Sequence, residues 1–93
     1  MNFIDLFNAL ARHVRPAFSE YSPITSLDVQ FPETGLDSMD GLMMLIHLED
    51  IYGIDEQVAK EFSFTTPAEL FALVELHKTK TPASLEEAME CAQ

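Results

Sequence analysis

Apolar positions fall at helical spacing in most segments of the chain that proline and glycine leave unbroken. Over residues 2 to 15, Phe3, Leu6, Phe7, Leu10 and Val14 make one stripe. That is the pattern of an amphipathic helix with a single face in a core. Arg12, His13 and Arg15 fall in its last turn, where cations suit the helix dipole, and Pro16 ends it. From Pro16 to Leu36 the chain carries Pro23, Pro32, Gly35 and several serines and threonines. It reads as a long ordered loop pinned by Ile24, Leu27, Val29 and Phe31. Loops of this length are uncommon in compact domains and are often functional.

A second helix is predicted from about Ser38 to Tyr52, closed by Gly53. Leu42, Leu45, Ile46, Leu48, Ile51 and Tyr52 give it more than one apolar face. The segment IDEQVAKEF makes a short helix with Val58 and Phe62 turned inward. TTPAEL then opens another helix, with Thr66 as N-cap, Pro67 at the first helical position and Glu69 completing a capping box. Leu70, Phe71, Leu73, Val74 and Leu76 carry that helix to about His77. The polar KTKTP breaks it, and Ser84 with Glu87 marks a short, marginal terminal helix. With no alternating pattern and no repeat, the fold class is all-α. The expected architecture is a small bundle of three main helices plus one short helix, with a long loop between the first two and an extra C-terminal helix as an option.

Length and composition narrow the function classes. Ninety-three residues make one small domain, with little room for an enclosed pocket and a full catalytic set. An apolar fraction of 47% argues for a folded globule despite a net charge of −11. The opening MNFIDLF carries Asp5 and no basic segment, so no secretory leader is expected. No apolar run approaches the roughly 18 residues of a membrane-spanning helix. Cys91 is the only cysteine, which excludes an intrachain disulfide and a cysteine zinc site, and a cytoplasmic location is expected.

The charge is unevenly placed. Arg12, Arg15, Lys60, Lys78 and Lys80 are the basic residues, so Pro16 to Ala59 holds none. Nucleic acid would be repelled, whereas a basic protein surface is the natural complement. A solvated acidic face that only maintains solubility is the plainer reading. His13, His47 and His77 suit structural or solvated roles better than catalysis. Asp37, Asp40, Glu49 and Asp50 do not have the alternate spacing of a calcium loop, and no metal site is expected.

Asp37 is placed to cap the second helix, with Asp40 at its third position near the positive end of the dipole. Ser38 then opens the helix with its hydroxyl outward, and a phosphate on that oxygen would sit at a helix N-terminus. The alternative is that Ser38 is itself the cap.

Gly35-Leu36-Asp37-Ser38-Met39, following a long loop and opening an apolar helix with Leu42, Leu45, Leu48 and Glu49, resembles the acyl carrier protein family. That family's signature is Asp-Ser-Leu or Asp-Ser-Met at the start of the second helix. The resemblance covers nearly all of the chain up to His77, and it sets residues 1–80 apart as the carrier-like unit from a tail at 81–93. It implies that Ser38 carries 4′-phosphopantetheine, whose thiol holds acyl groups as thioesters. It also implies a phosphopantetheinyl transferase as one partner, with acyl-transferring, condensing or ligase enzymes bearing basic docking surfaces as others. On this reading the protein is a monomeric carrier, not an enzyme, serving fatty acid, polyketide or related specialised biosynthesis. Asp37, Met39, Asp40, Met43, Glu49, Asp50, Asp55 and Glu56 are the expected partner-binding residues. Thr34 and the run Gly41, Leu42, Met43 and Met44 depart from the family pattern and point to a dedicated pathway. Core filling is the expected role of the Met39, Met43 and Met44 group, with a partner contact or the lining of a pocket for the acyl chain as the alternatives. Two other readings stay open: a peptidyl or aminoacyl carrier, and an unmodified acidic adaptor of carrier fold that binds one basic partner.

Overall fold

The computed structural model describes residues 2–14 and 21–91. Five α-helices follow in order: α1 Phe3–Val14, α2 Ser38–Tyr52, α3 Glu56–Lys60, α4 Pro67–His77 and α5 Leu85–Cys91. The described residues contain no strand. Arg15 and Pro16, expected to close the first helix, lie outside the described residues. One element is additional to the sequence reading: Phe31–Thr34 forms a 3-10 turn inside the long loop.

The core forms where the periodic faces of α1, α2 and α4 meet. From α1 it takes Phe3, Leu6, Phe7, Leu10 and Ala11; from α2 Met44, Leu45, Leu48, Ile51 and Tyr52; from α4 Leu70, Leu73 and Val74. Full burial of each large side chain is worth about 1.5–3 kcal/mol. The C-terminal segment joins this core, since α5 packs on both α1 and α2 and Ala88 is fully buried.

Caps set the helix boundaries. Asp37 accepts from the Asp40 backbone N–H at 2.9 Å, and the Asp40 carboxylate accepts from the Asp37 N–H at 3.0 Å. At α4 the reciprocal bond lands one residue earlier than the sequence predicts. Thr66 Oγ1 accepts from the Glu69 N–H, but Glu69 Oε1 bonds Thr65 Oγ1 and the Thr65 N–H. At α5 Ser84 Oγ likewise accepts from the Glu87 N–H while Glu87 reaches the Ala83 N–H. Gly53, at φ 63°, takes the left-handed position that stops α2 and donates to Glu49 O.

The loop is held by side chains that replace a missing sheet or helix partner. Asn8 of α1 donates through Nδ2 to Ile24 O at 3.0 Å and accepts from the Ile24 N–H at 2.8 Å. The Tyr21 hydroxyl donates to the same Asn8 oxygen, and burial pushes the Tyr21 pKa up to about 12. Further along, the Ala68 N–H donates to Leu27 O and the Phe31 N–H donates to Thr65 O, tying the loop to the start of α4.

Truncating Asn8 would leave both Ile24 backbone groups and the Tyr21 hydroxyl without their partner. Asn8→Ala is expected to cost about 1–3 kcal/mol in denaturant unfolding. A loss below about 0.5 kcal/mol would show that the loop does not depend on this clamp.

Candidate functional site

Ser38 stands at the first position of α2, immediately after the Asp37 cap, and is exposed. The chain approaches it from the 3-10 turn through Gly35, whose φ of 87° is the left-handed conformation suited to glycine. Thr34 is buried there: its hydroxyl donates to Phe31 O at 2.6 Å and accepts from the Leu36 N–H at 3.2 Å. A leucine at this position could make neither bond. Among the described residues no hydrogen bond engages the Ser38 hydroxyl, because the Asp37–Asp40 box meets the capping need.

Beside Ser38 opens a groove of about 600 Å³. Its walls are the 3-10 turn with Phe31 and Pro32, the first half of α2 with Gly41, Leu42 and Leu45, and the α3–α4 link with Phe62 to Thr65. Phe31 and Phe64 meet edge to face with ring centroids 5.1 Å apart, and Phe62 stacks on Phe64 at 6.0 Å. Gly41 is what lets these rings approach α2. A β-carbon at that position would lie 3.1 Å from Phe31 and 3.3 Å from Phe64. The glycine thus weakens the helix by about 1 kcal/mol relative to alanine and gives the rings a seat against the backbone.

The methionine group does not act as one unit. Met44 is completely buried, whereas Met39 and Met43 are 62% and 41% exposed. Core filling therefore holds only for Met44. Leu42 and Ile46, read from the sequence as apolar face residues alongside Leu45, are also about half exposed. Positions 39, 42, 43 and 46 lie one helical turn apart and make a continuous apolar stripe on the outside of α2. Leu42 and Ile46 are the site residues that sequence reasoning missed. Their spacing from Met39 was the available signal, but α2 is apolar on nearly every side and does not itself say which side is out. Leu76 is 78% exposed, on the outer face of α4 that it shares with Ala72 and Glu75.

The acidic residues divide by role. Asp50 is exposed one turn beyond Ile46, continuing the stripe, while Glu49 is half-buried on its flank. A second, smaller hollow of about 180 Å³ separates α2 from α3 and is bordered by Glu49, Glu56 and Lys60. Asp55 caps α3 by accepting from the Gln57 N–H at 2.8 Å, and Glu56 pairs with Lys60 at 3.6 Å. Burial, then Glu56 and Asp50, raises the Glu49 pKa above the ordinary carboxylate value. Comparison of the chain with family models, curated proteins and solved structures gives no match.

Two outcomes test this geometry. Gly41→Leu would drive a branched side chain into the Phe31 and Phe64 rings, with an expected loss of about 1–3 kcal/mol in thermal or denaturant unfolding. Ionised Glu49 disfavours the folded state, and that penalty disappears as pH falls through its raised pKa and below the ordinary 4.5. Glu49→Gln is therefore expected to be more stable than the unaltered chain at pH 7, by about 0.5 kcal/mol. The difference should vanish below pH 4.5 in matched denaturant melts.

Proposed function

We propose that the protein is a carrier that bears a 4′-phosphopantetheine arm on Ser38 and presents the attached acyl group to partner enzymes. The observation that carries this reading is the setting of Ser38: an exposed hydroxyl at the start of α2, beside a capping box that does not need it, on the rim of an apolar groove. Such a residue has no base of its own and needs none if another protein activates it.

The residues present fit the group. Ser38 Oγ is accessible, and the groove that begins there is walled mostly by aromatic and aliphatic side chains. When attached, the arm supplies a terminal thiol on which acyl groups travel as thioesters. In the loading reaction a bond forms between Ser38 Oγ and the β-phosphorus of coenzyme A. The pyrophosphate bond breaks, adenosine 3′,5′-bisphosphate leaves, and the hydroxyl proton passes to a base of the transferase.

The chain's own residues then have separable tasks. Asp37 and Asp40 hold the helix start, so Ser38 stays at a fixed point on the surface. Gly41, Phe31 and Phe64 shape the groove available to an apolar group. Met39, Leu42, Met43 and Ile46 offer an adaptable apolar contact, with Asp50 and Glu49 setting charge beside it. A partner with a basic rim around an apolar centre complements that face, and its approach is steered by the net charge of −11. The same exposed stripe also suits an unmodified adaptor, which would use the α2 face without Ser38.

Incubation with coenzyme A, magnesium and a broad-specificity phosphopantetheinyl transferase separates the two. Intact mass spectrometry is expected to show one added phosphopantetheine on the unaltered chain and none on Ser38→Ala. An unmodified chain, or addition that survives Ser38→Ala, would sink the carrier reading and favour the adaptor.

A further inference from the structure

His13 near the end of α1 and His47 in the middle of α2 bring their imidazole rings to a centroid separation of 5.2 Å, with planes 72° apart. Neither residue lines the groove beside Ser38 or belongs to the exposed stripe of α2. Two histidines that share one metal ion each place a nitrogen about 2.0–2.1 Å from it. Each ring centroid then lies about 3.2 Å from the ion, and a tetrahedral angle sets the two centroids about 5.2 Å apart. The pair already stands at that separation, on two different helices, with rings inclined instead of stacked.

We propose that His13 and His47 form a two-imidazole site for a divalent transition-metal ion, which would clamp α1 to α2. His13 is exposed and His47 half-buried, so both rings are open to an ion from solution. Asp50, one turn further along α2, adds negative charge close to His47. Among the described residues no group of three or more His, Cys, Asp or Glu side chains is placed to hold an ion. The site as proposed rests on the two imidazoles with water completing the coordination, and its affinity is modest. Imidazole selects copper, nickel and zinc over magnesium and calcium, with copper bound more tightly than nickel.

The test uses the untagged full chain, titrated with copper, nickel or zinc salts and, separately, with magnesium. Thermal melting and the NMR signals of the histidine rings are the readouts. Transition metals are expected to raise the melting temperature and to perturb His13 and His47 but not His77. At ten times the dissociation constant the folded-to-unfolded ratio should rise about tenfold. His13→Asn and His47→Gln should each abolish this stabilisation, while His77→Asn keeps it. Metal-free melts of the same variants show whether either substitution harms folding by itself. An equal effect of magnesium would mean that the acidic surface binds the ions and would overturn the proposal. So would stabilisation that survives in both variants, or no perturbation of the two rings.

Discussion

The ring of Phe31 against the bare α-carbon of Gly41 is the contact on which the arrangement around Ser38 depends. Phe31 lies in the loop yet touches three other parts of the molecule. Its ring meets Phe7 of α1 edge to face at 6.3 Å and Phe64 of the α3–α4 link at 5.1 Å. Its N–H donates to Thr65 O. A loop that cannot hydrogen-bond to itself in a regular pattern is thereby fixed by one aromatic side chain, with the Asn8 clamp at its other end. The cost is a glycine inside α2, about 1 kcal/mol of helix propensity, and the aromatic contacts offset it.

The same contact gives the groove its form. Rings seated against Gly41 of α2 border a trough between the 3-10 turn and the α3–α4 link, with Ser38 at its edge. Satisfied caps keep that edge in place: Asp37 and Asp40 bond each other's backbone, and Thr34 bonds both sides of the turn that leads into them. The serine hydroxyl is left over from these networks.

On the outer side of α2 the molecule tolerates an apolar stripe that a purely structural helix would make polar. The neighbouring charges are almost all negative, and Glu49 is held with a raised pKa among other acids. An exposed apolar surface rimmed by one sign of charge is a feature of recognition sites rather than of solubility. Buried Met44 and exposed Met39 and Met43 show how closely the two duties alternate along one helix.

Much of this was legible in the residues alone. Helical periodicity located α1 and α4, Thr66 and Pro67 marked the start of α4, and Asp37-Ser38 and Gly53 marked the two ends of α2. Those features are local, because spacing and backbone capping act within a few residues. The 3-10 turn at Phe31 was not legible, since its stability comes from Phe7, Phe64 and Gly41, distant in sequence. Nor was the outward direction of α2. A helix apolar on most sides buries whichever faces its neighbours cover, so only the packing of α1, α4 and α5 decided that Met44, Leu45 and Leu48 go in while Met39, Leu42, Met43 and Ile46 stay out. The approach of His13 to His47 has the same origin: it exists only where α1 and α2 meet.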